Sequence, residues 1–286
     1  MWMLQRITRG LICGALALAS VLSVAQTTGK TLRFVVGYPP GGSGDFVTRT
    51  VGEAIAAELG VTPLIDNRPG AAGNLATEVV VKSNDGATLL VASNPYINKA
   101  LYKKLNYDVD KDLTPITLLG NGPMVIAVNS ALPVHSIAEL VAHAKKNPGK
   151  LNFASSGNGA STHLAFAEFV LRAGLNIVHV PYKGGPEAIQ SLLRGDVCCI
   201  FNQVQTILPH YRSGRVRLLG VSTSTRVNAI PEIPTVAEAG LPGFESYTWF
   251  GFFAPKGLDA KITRELNSAV RKVLEIPAVR QKLSDL

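Results

Sequence analysis

The chain has 286 residues, of which 47% are hydrophobic, 17% charged and 7% aromatic, with 27 Gly, 17 Pro and a formal net charge of +8 at pH 7. This length buries a real core in one large or two ordinary domains, and the composition excludes a disordered polymer, a collagen-like repeat and a disulfide-stapled miniprotein. Lys and Arg cluster no further than pairs such as Lys103-Lys104 and Lys145-Lys146, so there is no phosphate-tracking stripe for nucleic acid, and the mild positive balance suits small anions.

Residues 1–10 carry Arg6 and Arg9 without an acid, residues 11–24 are apolar, and Ser23-Val24-Ala25 supplies the small residues of a cleavage site. This is the pattern of a secretory signal peptide over residues 1–25, cleaved near Ala25. The apolar run is shorter than the roughly 20 residues of a spanning helix. The mature chain is therefore expected to be soluble and exported.

Strands are expected over residues 31–37, 61–65, 88–92, 124–129, 151–154, 177–180, 197–201, 216–222 and 249–254. Between many of them lie helical patterns. Val47, Val51, Ile55 and Leu59 share one face of a helix over 46–59, Ser136-Ile-Ala-Glu139 and Thr235-Val-Ala-Glu238 read as capping boxes, and Asp259 caps a helix that stops before Pro277. Alternation of strand and helix predicts an α/β fold with a mostly parallel sheet. Cys198 and Cys199 fall in the strand over 197–201, where successive side chains point to opposite faces. A bridge between them would be strained, so two buried thiols are expected. No Cys or His spacing suits a metal, and neither metal nor cofactor is expected.

Three Gly-rich turns each follow a strand and open a helix: Gly37-Tyr-Pro-Pro-Gly-Gly-Ser-Gly-Asp45, Asn67-Arg-Pro-Gly-Ala-Ala-Gly-Asn74 and Ala154-Ser-Ser-Gly-Asn-Gly-Ala-Ser-Thr-His163. Glycine lets a ligand approach the backbone, and a helix start offers open N–H donors and partial positive charge, so such turns suit carboxylate or phosphate. The same turns also serve simply to reverse the chain. Named catalytic signatures are missing: no Gly-Lys-Ser/Thr follows, Val47 and Thr162 stand where a dinucleotide fingerprint needs glycine, and Asp45 and Ala154 break a nucleophile elbow at Ser43 and Ser156. Asp45 is either a ligand contact or a stabiliser of its own helix start, and His163 either an anion donor, a base or a structural residue.

Further words extend along the chain: Asp85-Gly86-Ala-Thr-Leu-Leu90, Asp112-Leu-Thr-Pro-Ile116, Pro148-Gly-Lys-Leu-Asn-Phe-Ala-Ser155, His179-Val-Pro-Tyr-Lys-Gly184, Ile233-Pro-Thr-Val-Ala-Glu-Ala-Gly240 and Pro242-Gly-Phe-Glu245. Together with the first two glycine turns, in that order, they resemble the periplasmic solute-binding receptors of tripartite tricarboxylate transporters, the Bug or TctC-like family, from about Leu32 to the last residue.

The resemblance implies a two-lobed periplasmic-binding-protein fold of the Venus flytrap, type II-like kind, with a ligand cleft between the lobes. Lobe 1 would be discontinuous, residues 26–122 plus 224–286, and lobe 2 residues 123–223, with hinge crossings near Gly122 to Val125 and Ser222 to Arg226. It implies ligand contacts from Tyr38, Gly41, Gly42, Ser43 and Asp45 in one lobe and from Ser155, Gly157, Gly159, Ser161 and His163 in the other. Ser93, Asn94 and Asn202 would be wall residues, and Lys183 would lie beside the cleft as a contact or a solvated side chain. A small organic anion carrying a carboxylate is the implied ligand, membrane permease subunits or a sensor kinase are the implied partners, and the receptor would be a monomer that binds no nucleic acid. The alternative is an exported serine hydrolase using Ser43 or Ser156 with His163. Such receptors usually continue beyond the point matching Leu286 with a helix of the first lobe, so exposed apolar surface and reduced stability are expected where it is lacking.

Overall fold

The computed structural model describes residues 30–284, so the expected signal peptide lies outside the described residues. In chain order the elements are β1 (Thr31–Val36), α1 (Ser43–Leu59), β2 (Thr62–Asn67), α2 (Asn74–Val81), β3 (Thr88–Ala92), α3 (Pro95–Leu101), α4 (Val109–Asp112) and β4 (Leu113–Asn129). They continue as α5 (Ile137–Lys146), β5 (Asn152–Ser155), α6 (Ser161–Ala173), β6 (Val178–Pro181), α7 (Gly185–Arg194), β7 (Cys199–Gln203), α8 (Val204–Arg212) and β8 (Val216–Val221). The chain ends on β9 (Tyr247–Pro255), α9 (Ala260–Leu274) and α10 (Pro277–Ser284).

Strands β2, β1 and β3 run parallel, and β9 joins β3 antiparallel. Helices cover both faces of this sheet, so its strands read as continuous apolar runs. Phe34 and Phe252 pack on one face with Val51, Ile55 and Val270, while Val35 and Phe253 pack on the other with Val80, Leu90 and Tyr107. The second sheet repeats the plan with parallel β6, β5 and β7. Its faces bury Phe153, Phe166, Phe169 and Phe201 on one side and Ala188, Leu192, Ile200 and Ile207 on the other.

One long strand belongs to both sheets. From Leu113 to Pro123 β4 pairs with β9, and from Met124 onward it pairs with β7 and β8 instead. The sequence pattern predicts only its second half. Pro115 and Gly120 interrupt the first, and the structure accommodates them with register shifts beside Pro115 and Gly120. There β4 has β9 as its single strand partner, and such an edge tolerates proline.

Strand β4 thus passes from the first sheet to the second at Pro123 and Met124. Residues 224–246 differ from expectation: Ile230, Ile233, Val236 and Phe244 pack in the cores of the second lobe. The chain does reach the crossing at Ser222, where Ser222 N–H donates to the Met124 carbonyl at 2.7 Å, its Oγ accepts from Met124 N–H at 3.0 Å and donates to the Ser246 carbonyl at 2.5 Å. It then folds back over the second lobe and crosses again at Ser246. Within this excursion the Thr235 to Glu238 capping box forms both reciprocal hydrogen bonds, at 2.8 and 3.0 Å. No helix follows, because the chain turns at Gly240, held at φ +119°.

Candidate anion-binding cleft

Leaving β1, the chain passes Gly37, where a side chain would collide with the backbone of Gly73 at 2.9 Å. Tyr38 then folds over Gly44 and packs edge-on against Phe250 with ring centroids 5.4 Å apart. Its hydroxyl pairs with Ser93 Oγ and accepts the Ser93 N–H at 3.0 Å. Burial pushes the phenol above its ordinary range, so it stays a neutral donor.

Asp45 faces inward and is only 4% exposed. Its carboxylate accepts from Gly41 N–H at 3.0 Å, Arg49 Nε at 3.0 Å and Asn67 Nδ2 at 2.9 Å. Burial alone would raise this carboxyl, but the Arg49, Gly41 and Asn67 hydrogen bonds outweigh it and hold it below the usual range. Asp45 therefore clamps the turn and does not line the cleft, against the expectation that it touches ligand.

The third turn shows the same division. Ser155 is fully buried and its Oγ pairs with His179 Nε2 at 2.6 Å, while Gly157 N–H donates back to Ser155 Oγ at 3.1 Å. His163 is also turned inward: its Nδ1 accepts Gly159 N–H at 3.1 Å and its ring stacks on His179 with centroids 4.0 Å apart. Neither Ser155 nor His163 lines the cleft. Ser156 Oγ pairs with Thr162 Oγ1 at 2.9 Å, so the serine hydrolase constellation is not assembled around Ser43, Ser156 and His163.

His179 titrates at about 4, well below its ordinary 6.5, through burial first and repulsion from His163 second. Between those values the unfolded chain binds a proton that native His179 refuses, so stability falls as pH drops through this window and is fully present above it. Thermal unfolding of wild type and His179→Asn from pH 7.5 to 4 checks this, with the steeper acid loss expected in wild type. Parallel profiles would contradict it.

The glycines bend the chain, and the residues behind them hold the open donors. Gly41, Gly157 and Gly159 give their amides to Asp45, Ser155 and His163, and Gly42 N–H donates to the Pro39 carbonyl at 3.3 Å. By contrast, α1 begins at Ser43 and Gly44, and α6 at Ser161 and Thr162, with no side-chain cap on either. These four residues line one cavity of about 600 Å³ between the lobes, joined by Gly185 of α7 and by Gln205 and Thr206 of α8. Four helix starts thus bring roughly half a positive charge each to one space.

Asn202, 1% exposed, lines the same cavity. Its Oδ1 accepts from Gln203 N–H at 2.8 Å and Thr206 Oγ1 at 3.2 Å, whereas its Nδ2 has no partner. A buried NH2 left open is costly unless a ligand accepts from it. Ser93 and Tyr38 complete the near wall. The far wall, which the sequence pattern alone does not single out, comes from Pro186, Gln190 and Arg194 of α7 and Pro209 and His210 of α8. The four-residue spacing of Pro186, Gln190 and Arg194 on α7, and of Gln205 with Pro209 and Thr206 with His210 on α8, marks them as neighbours on one face of each helix. Glu187 lines the cavity too, but one of its carboxylate oxygens accepts Lys183 N–H at 3.0 Å.

The lobes meet around this space. Asn94 Nδ2 donates to the Gly159 carbonyl at 2.5 Å and Tyr102 Oη to the Asn158 carbonyl at 3.1 Å. Asn94 and Gly159, expected as ligand contacts, are thus joined to each other across the cleft. Gly157 and Lys183 line a second, adjoining space of about 420 Å³.

Comparison with known proteins agrees with this architecture. The family model described as "Tripartite tricarboxylate transporter family receptor" matches residues 47–286. Among solved structures, a Rhodopseudomonas palustris protein, Rpa4515, with adipate is 32% identical, covers 89% of this chain and 86% of its own, and superposes with a TM-score of 0.84. MatC (Rpa3494) from Rhodopseudomonas palustris with bound malate is 33% identical at 89% and 88% coverage, TM-score 0.82. The periplasmic binding protein BugD is 31% identical at 89% and 86% coverage, TM-score 0.82.

Proposed function

Because the chain belongs to the tripartite tricarboxylate transporter receptor family, we propose that it works in the periplasm as a monomeric, non-enzymatic receptor that closes on a carboxylate metabolite and hands it to membrane permease subunits. The carrying observation is the pair of uncapped helix starts, Ser43-Gly44 and Ser161-Thr162, facing one cavity whose floor holds the unpaired Asn202 amide. A ligand carboxylate fits between these donors, with Tyr38, Ser93 and Ser156 as neutral wall groups. Neutral donors suit a cleft that opens, since no fixed charge is left buried and unpaired between binding events. Two of the similar structures hold dicarboxylates; on the far wall Arg194 lines the cavity beside His210 with its guanidinium bonded to Asp196 at 2.8 and 2.7 Å.

Calorimetric titration against mono-, di- and tricarboxylates tests this reading. Saturable binding of a carboxylate without turnover of its ester is the expected result. Silence across the panel, or ester hydrolysis, would contradict it. Asn202→Asp keeps the acceptor for Gln203 and Thr206 but turns a carboxylate oxygen toward the ligand, and it should weaken binding by about 10- to 100-fold or more.

A further inference from the structure

Cys198 and Cys199 sit at the start of β7, at the opposite end of that strand from Asn202. Strand alternation predicts them on opposite faces, but the structure places them together. Cys198 lies in the bend over 196–198 that precedes the strand, and its Sγ is 2.7 Å from that of Cys199. Asn152 holds the bend: Cys198 N–H donates to Asn152 Oδ1 at 2.9 Å, and the Cys198 thiol donates to the Asn152 carbonyl at 2.8 Å. Asn129 N–H adds a bond to the Cys198 carbonyl at 3.0 Å.

The two thiols are unequal. Cys198 is partly exposed, whereas Cys199 is fully buried in the core with Phe153 and Phe201. Hydrogen bonding to Cys199 pulls the Cys198 thiol down, while burial pushes Cys199 up. The accessible sulfur is therefore also the more readily ionised, and the sheltered one stands beside it.

We propose that Cys198 and Cys199 form a reversible dithiol–disulfide pair, oxidised by exchange with a small-molecule or protein disulfide. The Cys198 thiolate attacks one sulfur of the incoming disulfide, forming a mixed disulfide and expelling one thiolate. Cys199, losing its proton, then attacks the Cys198 sulfur, forms the Cys198–Cys199 bond and expels the second thiolate. Two electrons and two protons leave the pair, and the oxidant departs as two thiols. Adjacent residues across a trans peptide have Cα atoms about 3.8 Å apart, closer than the roughly 4.4–6.8 Å of ordinary bridges. The bond is thus of the strained, easily reduced class rather than a permanent staple.

The test treats the folded full chain with oxidised glutathione, blocks remaining thiols with iodoacetamide and reads the tryptic peptide 195–212, which holds both cysteines. Wild type should give the unalkylated peptide lighter by about 2 Da, restored to two free thiols by dithiothreitol. Cys199→Ser, or Cys199→Ala should serine unsettle the core, should trap a glutathione adduct of about 305 Da on Cys198. Cys198→Ser should stay unmodified, its remaining thiol being buried. A stable glutathione adduct on wild type, a link between two chains, or two untouched thiols would each overturn the proposal.

Discussion

Replacing Gly184 with valine is expected to weaken ligand binding by about 5- to 150-fold while leaving the unfolding midpoint of the unliganded protein unchanged. A Cβ at position 184 would run into the Pro39 ring, which comes from the opposite lobe. The backbone there is extended, with φ 171°, so the substitution strains nothing within its own lobe. The collision exists only when the lobes meet. Overpacking of this kind costs about 1–3 kcal/mol, which closure must then overcome. Calorimetry with the best carboxylate found for wild type measures the loss, and Gly184→Ala should fall between. Equal affinity for Gly184→Val and wild type would mean that binding does not require these two surfaces to touch.

The second large effect concerns what holds the donors in place. Helix α6 presents Ser161 and Thr162 to the cleft at its start and buries Phe166 and Phe169 about one and two turns later. Phe166 stacks on Phe153 with centroids 4.3 Å apart and meets Phe169 and Phe201 edge-on at 5.6 and 5.8 Å. Truncating a fully buried phenylalanine typically costs about 3–5 kcal/mol through lost transfer energy and the cavity left behind. For a chain of this size Phe166→Ala should therefore lower the melting temperature by roughly 10 °C. Denaturant unfolding at unchanged slope would check that the change is one of stability. A loss below about 1 kcal/mol would mean that the four rings are not packed as described.

Much of this architecture is legible in the residue pattern itself. Apolar runs such as Phe34-Val-Val36 and Ile200-Phe201 announce strands buried on both faces, and the three glycine turns mark where strands hand over to helices. Other features depend on partners distant in sequence. The first half of β4 reads as loop because Pro115, Gly120 and Pro123 break its pattern, and only its edge position beside β9 makes it a strand. The Thr235 capping box is real as a set of hydrogen bonds yet starts no helix, since Gly240 turns the chain. The family resemblance implies Asp45, Ser155 and His163 as anion contacts, but each side chain is turned away from the cleft and bonded to a backbone amide of its own turn. Asn202, near the end of β7, does line the cavity.

If helix-start amides grip the anion, amide-resolved NMR reports it most directly. Titrating 15N-labelled protein with the carboxylate that calorimetry identifies should move the backbone signals of Ser43, Gly44, Ser161 and Thr162 downfield together with the Asn202 side-chain NH2, along one saturation curve. Saturable binding that leaves those five groups unmoved would contradict it.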